Sequence, residues 1–343
     1  MPHSRRICFI PQIPGAAGPA NFQRRLEGGL AARGIAVTYD PEDAPIDAVL
    51  VVGGTRRLGV LRRLHRKGIP IFQRLNGMNW LHRRRRTGLR HFMRAEVNNL
   101  LLRTIRDRFA RGLIYQSAFA RSWWERVYGA APSRAVVIHN GVPLDLYQPQ
   151  GAERPPEGRT RLLVVEGNLA GGYEHGLEAA FALGARLQER LSSPVELAVA
   201  GHAPQSLRRA WEGREGVPVR WLGSVSPGEI PAVDRGAHVL YAADLNPACP
   251  NSVIEALACG LPVVSFDTGA LPELVTGESG RLARYGGDPW RLDPPDLAAL
   301  TEVAVEVIGN QAKFRRGARA RAEAGLGLDT MVEGYQRALG WVG

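Results

Sequence analysis

A glutamate near the start of a predicted helix has the position that most favours chemistry. The segment Pro247-Ala-Cys-Pro-Asn-Ser-Val-Ile-Glu-Ala-Leu-Ala-Cys-Gly-Leu-Pro-Val-Val264 predicts a loop, a helix, a glycine stop and a buried strand. Asn251 or Ser252 is expected to cap the helix, and Gly260 to end it in a left-handed turn. Glu255 then lies one turn in, where its carboxylate can accept paired ribose hydroxyls while nearby amides hold phosphate or sugar oxygens. A glutamate favoured only by the helix dipole would give the same pattern.

A second candidate site is the glycine-rich segment Glu166-Gly-Asn-Leu-Ala-Gly-Gly-Tyr-Glu-His-Gly176. Its glycines can let backbone amides approach a phosphate group, since no side chain stands in the way. The residues expected to line such a phosphate are Gly167, Asn168, Gly171, Gly172 and His175. A tight strand-to-helix turn with no ligand remains the alternative.

A third loop, Pro14-Gly-Ala-Ala-Gly-Pro-Ala-Asn-Phe22, follows the first predicted strand and opens a helix. Gly15, Gly18 and Asn21 are its candidate binding residues. The spacing differs from G-x-G-x-x-G, so a dinucleotide site is unsupported. An ordinary strand-to-helix turn is again the alternative.

Short β-branched runs alternate with helical stretches along the whole chain, and this alternation predicts parallel, doubly wound sheets. The first helix, with Phe22, Leu26 and Leu30 on one face, is closed by Gly34. The predicted strands of the first half are Ile7–Ile10, Ile35–Tyr39, Ala48–Val52, Ile69–Phe72, Leu113–Tyr115 and Val136–Ile138. Those of the second half are Arg161–Val165, Val195–Ala200, Val219–Leu222, His238–Tyr241 and Pro262–Phe266.

The two series are separated by residues 148–158, which have no periodicity and hold three prolines. The sequence therefore predicts an α/β protein with two Rossmann-like domains, at 1–150 and 151–328, and a C-terminal helix at 329–343 that packs back towards the first. The carboxyl ends of the two sheets should face a cleft between the domains, because open α/β sheets bind ligands there.

Composition narrows the class of protein. The chain has 343 residues and a formal charge of +11, which splits into +16 for residues 1–150 and −5 for the rest. The first half must therefore face an anion or tolerate its own repulsion. Three cysteines without metal-site spacing fit a reducing compartment, and neither a signal-peptide core nor a membrane span is found, so a cytoplasmic protein is expected.

A run of arginines, Arg83–Arg86, stands near Trp80, Phe92, Trp123 and Trp124. A solvated charged face is one interpretation. The other is an anionic partner, either a phosphorylated acceptor or the anionic inner leaflet of the cell membrane, on which the protein would be peripheral. No recognition motif supports nucleic acid as a partner.

The 247–264 segment resembles the signature E-G-F-G-x-x-x-x-E-A-[ML]-A-x-G-x-P-V-V of the retaining glycosyltransferase family 4, which has the two-domain GT-B fold. Three further segments are similar to the family's other motifs, in the same order along the chain. These are Tyr115–Phe119, Val137-Ile-His-Asn-Gly-Val-Pro143 and Asp267-Thr-Gly-Ala-Leu-Pro-Glu-Leu-Val275. The resemblance implies a nucleotide-sugar donor in the second domain. Glu255 would bind the ribose, with Asn251, Ser252, Gly269 and the 167–176 loop nearby and Trp221–Val225 near the base.

The chain departs from the family pattern at positions that matter. The first motif glutamate is replaced by Pro247, for which Asp244 or Asn246 is a candidate substitute, and the phosphate-binding Arg and Lys by Asn168 and His175. The family's strand-end histidine, beside the reacting sugar, is replaced by Asn76. We expect Asn76 and Arg74 to be the catalytic residues, the first holding a sugar hydroxyl and the second neutralising pyrophosphate. A purely structural role for Arg74 stays open.

The resemblance implies transfer of a sugar from a UDP- or GDP-linked donor to a hydroxyl, with retention, on a glycan or lipid-linked acceptor of the cell envelope. The acceptor would lie against Gly15, Gly18 and Asn21. No metal or cofactor is expected, because the fold requires none and no carboxylate pair suggests a metal site. Two alternatives stay open: a non-catalytic sugar-nucleotide binder or partner subunit, and a sugar-nucleotide epimerase of the same fold.

Overall fold

The computed structural model describes residues 5–15, 18–85, 88–169, 174–211 and 214–342. The chain divides into two compact units. The first comprises Met1–Gly141 together with Leu328–Gly343, and the second comprises Val142–Gly327.

The first unit is built on a parallel sheet in the order β2-β1-β3-β4-β5-β6. Its strands are β1 (Arg6–Ile10), β2 (Ala36–Thr38), β3 (Ala48–Val52), β4 (Ile71–Leu75), β5 (Gly112–Tyr115) and β6 (Arg134–Val137). Its helices are α1 (Gly18–Ala31), α2 (Leu58–Arg66), α3 (Leu89–Arg108) and α4 (Ala118–Tyr128), with a 3-10 turn at Leu81–Arg83. The central strands β3 and β4 are buried along their whole length, as expected of a sheet covered on both faces.

The second unit repeats this plan with a parallel sheet in the order β12-β11-β10-β7-β8-β9. Its strands are β7 (Thr160–Asn168), β8 (Val195–His202), β9 (Val219–Gly223), β10 (Val239–Tyr241), β11 (Val263–Phe266) and β12 (Gly280–Ala283). Its helices are α5 (Glu174–Arg190), α6 (Gln205–Trp211), α7 (Ile230–Arg235), α8 (Asn251–Ala258), α9 (Leu271–Leu274), α10 (Leu297–Gly309) and α11 (Gln311–Glu323), with a 3-10 turn at Pro289–Arg291.

The C-terminal helix α12 (Leu328–Ala338) packs on α1 within the first unit. Gly29 of α1 makes this contact close, since a Cβ there would meet the Val332 side chain. The rings of Phe22 and Tyr335 pack against each other at a tilt, with 5.6 Å between their centroids. Both aromatic residues belong to one hydrophobic cluster with β1 and β3, so the end of the chain completes the core of its beginning.

The eleven predicted strands all occur, with ends shifted by up to three residues, and Gly34 ends the turn after α1 with φ +72°. Strand β12 was not predicted, because Gly280-Arg-Leu-Ala283 is short and follows a turn without a long apolar run. The 148–158 segment lies outside every helix and strand and belongs to the second unit, where Arg235 pairs with Glu153 at 2.6 Å. Across the described ranges, no helix combines the length and apolarity that a membrane crossing requires.

Candidate functional site

The second sheet changes winding direction between β7 and β10, which are hydrogen-bonded neighbours. Open parallel sheets bind ligands beyond the carboxyl ends of the strands at such a point. Glu166 lies near the carboxyl end of β7, and Asp244 follows the end of β10 by three residues. The candidate site is therefore built around these two strand ends.

Glu166 and Asp244 are two carboxyls that influence each other. Burial raises the pKa of Glu166 above its usual range, and the nearby Asp244 raises it further. Burial also raises the pKa of Asp244, although the backbone amides of Asn246 and Leu245 oppose the shift. Like charges in a low-dielectric site disfavour double ionisation, so this pair holds a proton more readily than two exposed carboxyls would.

His175, at the start of α5, lines a small pocket with Asp244. The other residues of the lining are Gly176, Ala179, Tyr241, Ala242, Ala243, Leu245, Ser265, Phe266, Thr268, Tyr285 and Pro295. The Nε2 atom of His175 is buried and has no hydrogen-bond partner among the described residues, and Nδ1 lies 4.0 Å from the Glu178 carboxylate. A buried imidazole nitrogen needs a partner, so this atom is a candidate contact for a ligand oxygen.

The four glycines of the 166–176 loop differ in what the structure shows. Gly171 and Gly172 lie outside the described residues. Gly167 is exposed, and a Cβ there would meet no atom within 4 Å, so the space beside it is open. Gly176 is packed tightly, since a Cβ there would lie 2.1 Å from the carbonyl oxygen of Ala243. Asn168, at the end of β7, is exposed.

Helix α8 carries Glu255 and begins at Asn251, with Pro250 in the N-cap position. The prediction that Asn251 or Ser252 is the cap residue is wrong, since both lie inside the helix and Pro250 precedes it. Proline supplies a fixed φ, here −72°, but no side-chain acceptor. The cap residue of the helix therefore does not neutralise the positive end of its dipole. Gly260 follows the helix with φ +69°, as predicted.

Glu255 is buried, with 5% of its surface exposed, and faces a second acid. Asp234 on α7 is fully buried, and its pKa is well above the usual value because of burial and the Glu255 charge. Cys259, one turn after Glu255, lies beside Asp234 and partly offsets the rise in its pKa. A protonated Asp234 behind Glu255 avoids placing two carboxylate charges together in the core. Sequence reasoning missed Asp234, because an acid in a short amphipathic helix gives no sign of burial.

Pro247, which replaces the first glutamate of the signature, packs against Gly269 after β11. Gly269 has φ +59°, and a Cβ there would lie 2.5 Å from Pro247 Cδ. The Ala270 amide donates to the Pro247 carbonyl oxygen at 2.8 Å. The proline and the glycine thus join two loops at the carboxyl edge of the sheet. Next to them, Asn246 is buried, and its Nδ2 has no hydrogen-bond partner within the described part of the chain.

In the first unit, Arg74 is the centre of a polar network at the ends of β4 and β5. Its guanidinium donates to Asn76 Oδ1 at 2.7 Å and to Asn140 Oδ1 at 2.9 Å, and its Cζ lies 3.6 Å from the centre of the Phe22 ring. The Gln116 amide contacts both Arg74 and Asn76. Arg74 is 1% exposed, whereas Asn76 is half-buried.

This network distinguishes the two predicted catalytic residues. Asn76 has an accessible side chain, which Arg74 and Gln116 hold. The backbone carbonyl oxygen of Asn76 accepts from the Trp124 indole at 2.7 Å. Arg74 is enclosed and orients its two amide partners. The sequence did not identify Gln116 and Asn140 as partners, although Gln116 directly follows a predicted strand and Asn140 follows one by two residues, and those positions were a usable signal.

The 11–22 loop of the first unit is held by side chains of α1. Arg24 donates to the Gly15 carbonyl at 2.7 Å and also contacts the Asn21 side chain. Gln23 donates to the Pro11 carbonyl and accepts from the Ile13 amide, at 2.7 and 2.9 Å. Gly15 has φ +90°, and Gly18 is the first residue of α1. These contacts hold Pro11, Ile13 and Gly15 against α1, residues 16 and 17 lie outside the described residues, and Asn21 already has an arginine partner.

The prediction that four aromatic residues accompany the Arg83–Arg86 run at the surface fails for two of them. Trp123 and Trp124 are 6% and 0% exposed, because they pack on the inner side of α4, whereas Phe92 is 37% exposed. Arg83 is bound to both Glu96 oxygens, at 2.7 and 2.8 Å, so its charge is paired. Arg84 is exposed, and Arg86 lies outside the described residues.

Within the described residues, no group of three or more His, Cys, Asp or Glu side chains is arranged to hold a metal ion. The three cysteines are free thiols, and all are buried.

Comparison with known proteins matches part of the second unit to a family model. Residues 160–309 match the model of the family "Glycosyl transferases group 1". The D-inositol 3-phosphate glycosyltransferase of Streptomyces bingchenggensis is 29% identical over 239 residues, which are 62% of this chain and 51% of that protein. This chain therefore spans about half the length of the curated relatives that it matches first.

Solved structures agree over nearly the whole chain. Sucrose-phosphate synthase from Thermosynechococcus elongatus superposes with a TM-score of 0.73 at 16% identity, covering 98% of each chain. Anabaena Alr3699/HepE, in complex with UDP-glucose, gives 0.68 at 17% identity, covering 98% of this chain and 100% of the other. At such low identity these similarities show the fold, which is GT-B with two Rossmann-like domains, as predicted.

Proposed function

Because residues 160–309 are a glycosyl transferases group 1 domain within a GT-B chain, we propose that this protein transfers a sugar from a nucleotide-sugar to an acceptor hydroxyl. The observation that carries the proposal is the family match over the unit in which Asp244 lies beside Glu166 and lines a pocket with His175. The same unit presents Glu255 on a helix whose cap residue is Pro250.

The donor is proposed to bind to the second unit. Glu255 would accept the ribose hydroxyls, and the start of α8 with Asn251 and Ser252 would face anionic oxygens. His175 Nε2, together with the amides of the 167–172 segment and Gly269, would contact the diphosphate. HepE binds UDP-glucose, so UDP-sugars are the first donors to test, followed by GDP-sugars.

Asp244 is the proposed substitute for the missing signature glutamate. It lines the pocket beside His175, whereas Asn246 is buried against the Pro247 loop. A carboxyl with a raised pKa can be neutral near neutral pH, so it can donate as well as accept a hydrogen bond to a sugar hydroxyl. Such a carboxyl also repels the donor diphosphate less than an ionised one would.

The first unit is proposed to hold the acceptor, against Gly15, Gly18 and Asn21. Asn76 would hold a hydroxyl at the reacting centre, with Arg74 as its positioning residue. An amide cannot relay a proton, so the departing phosphate of the donor would take the acceptor proton in a retaining, metal-independent reaction. The charge developing on that phosphate would be stabilised by helix starts and backbone amides.

The acceptor is proposed to be an anionic or lipid-linked glycan on the cytoplasmic side of the cell envelope. The first 150 residues carry +16, which favours a negatively charged partner. The relative from Streptomyces acts, by its name, on D-inositol 3-phosphate, a phosphorylated polyol. Three free cysteines fit a reducing compartment.

A thermal-shift screen of nucleotide diphosphates and their sugars tests the donor. A ligand at 100 times its Kd should stabilise the folded protein by about 2.7 kcal/mol. Hits would then be followed by nucleotide release with EDTA present, with and without glycan and phosphopolyol acceptors, and by NMR of the product anomer. Retained configuration without added metal is the expected result.

Each other outcome contradicts the proposal in a defined way. Donor binding without any nucleotide release would indicate a non-catalytic binder or partner subunit. Free sugar with changed stereochemistry would indicate an epimerase. Absence of both binding and release across the screen would remove nucleotide-sugars as the substrate class.

A further inference from the structure

Helix α3 presents an unusual outer face. Of the nine large hydrophobic side chains that are exposed in the described residues, five lie on this one helix. They are Leu89, Phe92, Met93, Val97 and Leu100, exposed by 79, 37, 54, 42 and 59%. Leu89, Met93, Val97 and Leu100 follow a spacing of four, four and three residues, which places them on one side of a helix.

The opposite side of α3 is held by polar contacts, so the rotation of the helix is fixed. Asn99 accepts from the Asn79 amide at 3.1 Å and donates to the Asn79 carbonyl at 2.9 Å. Arg106 is 1% exposed and donates to the Gly129 carbonyl at 2.6 Å. Ala95 and Ile105 are also buried on this inner side, so α3 buries a mixed face and still leaves its aliphatic stripe in water, where an ordinary surface helix presents polar residues.

Glu96, in the N-terminal half of α3, ties the helix to the preceding 3-10 turn. Its carboxylate contacts His82 Nε2 and Arg83 Nε, both at 2.7 Å. These hydrogen bonds lower the pKa of Glu96 to about 2, so the carboxylate stays ionised in ordinary buffers. Arg83 and Glu96 also border a shallow cavity of about 390 Å³ with Val97, Leu100, Arg103 and Tyr128, which extends the stripe towards α4.

Positive charge flanks the stripe. Arg90 and Arg94, each one residue after Leu89 and Met93, are exposed, as is Arg84 in the preceding turn. Residues 83–108 contain nine arginines and two acidic residues. An aliphatic stripe bordered by arginines matches the two layers of a bilayer surface, acyl chains below and anionic headgroups above.

We propose that α3 is a membrane-binding surface, whose stripe of Leu89, Met93, Val97 and Leu100 enters the headgroup region of an anionic bilayer while Arg84, Arg90 and Arg94 contact lipid phosphates. Only the role of this surface, which is to bring the enzyme to a lipid-linked acceptor, rests on the proposed function. The charge on the flanks commits the surface to anionic lipid, since a second copy of this chain would bring the same arginines together.

Co-sedimentation with vesicles tests the surface on the full chain. Vesicles of phosphatidylglycerol and phosphatidylcholine in equal parts should bind the wild type in 0.1 M salt, and pure phosphatidylcholine much less. Binding should weaken at 1 M salt as the Debye length falls from about 10 Å to about 3 Å. The triple variant Leu89→Ser, Met93→Ser, Leu100→Ser should reduce binding at least tenfold, and so should Arg90→Ser with Arg94→Ser.

A matched control is Leu146→Ser with Val342→Ser, which removes exposed aliphatic side chains elsewhere and should leave vesicle binding unchanged. Met93→Trp should show a blue-shifted emission on vesicles and quenching by lipids brominated near the headgroup. Equal sedimentation of the wild type and the stripe variant would overturn the proposal. So would a wild-type dimer in light scattering that the stripe variant converts to a monomer.

The two proposals fail independently. Nucleotide release from the donor, measured with a water-soluble acceptor, should be the same in the wild type and the stripe variant. Vesicle binding without any donor turnover would contradict the proposed function but not the surface. Turnover without vesicle binding would contradict the surface but not the function.

Discussion

The two Rossmann-like units bury charged groups of opposite sign. The first encloses a cation, Arg74, among the amides of Asn76, Gln116 and Asn140. The second encloses acids, the pair Glu166 and Asp244 in one place and Asp234 with Glu255 in another. The buried charged groups of each unit thus have the same sign as the net charge of the corresponding part of the sequence, +16 for residues 1–150 and −5 for the rest.

The difference matters because the two kinds of group respond differently to burial. A guanidinium does not lose its proton in a protein, so Arg74 must be satisfied by hydrogen bonds at every pH. A carboxyl can accept a proton, so the acids of the second unit can become neutral. We therefore expect the first network to be sensitive to the removal of one partner, and the second to be sensitive to pH.

The largest effect is expected from Arg74→Leu. The substitution removes the Arg74 hydrogen bonds to the amide oxygens of Asn76 and Asn140 inside the first unit, and the loss of a buried partner costs about 1–3 kcal/mol. We expect the free energy of unfolding to fall by about 2–5 kcal/mol, measured by urea denaturation. Arg94→Leu, at an exposed arginine, is the control. An unchanged urea midpoint for Arg74→Leu would mean that the network carries no stability.

A smaller loss is expected from Gly176→Ala in the second unit. The added Cβ would lie 2.1 Å from the Ala243 carbonyl, a backbone atom that cannot rotate away. Overpacking of this kind costs about 1–3 kcal/mol. Gly167→Ala is the matched control in the same loop, where the new Cβ meets nothing. If both variants unfold at the wild-type midpoint, α5 does not rest on the loop after β10.

A third effect separates the acids of the second unit by their pH dependence. The pKa of Asp234 is raised in the folded state, so between about pH 4 and that value the folded chain binds more protons than the unfolded one. This difference lowers stability as pH rises, by up to about 1.4 kcal/mol per pH unit. Asp234→Asn should therefore flatten the decline in urea midpoint between pH 4.5 and 7.5.

Glu157→Gln, at an exposed carboxyl of the same unit, should leave the pH dependence as it is in the wild type. A slope in Asp234→Asn as steep as in the wild type would show that Asp234 is not the group that binds the extra proton. The coupled pair of Glu166 and Asp244 would then be the remaining candidate.

Much of the fold could be predicted from the sequence, because strands such as Ala48–Val52 are short apolar runs bounded by turns, and such runs have few alternatives in an α/β chain. Strand β12 could not, since its pattern is indistinguishable from that of a loop. The start of α8 was predicted wrongly because Pro250 occupies the cap position that Asn251 or Ser252 would favour by residue type.

The candidate site was predictable only in part. The motif that surrounds Glu255 is local in sequence, and a resemblance can therefore identify it. The Arg74 network depends on contacts between β4, β5 and the residues after β6, up to 66 positions apart, which no local pattern encodes. The exposed stripe on α3 was also missed, because the same leucines would be expected in a helix that buries them.

The central claim is that the second unit binds a nucleotide-sugar through Glu255, and calorimetric titration of the donor identified in the screen tests it most directly. Glu255→Gln removes the charge but keeps the shape, so it should weaken donor binding by about 1.5–3 kcal/mol, the scale of a charge-assisted hydrogen bond. That is roughly a 10- to 150-fold rise in Kd. Glu302→Gln, at an exposed partner of Arg190, should bind as the wild type does. A Kd for Glu255→Gln equal to that of the wild type, with the fold intact, would contradict the account.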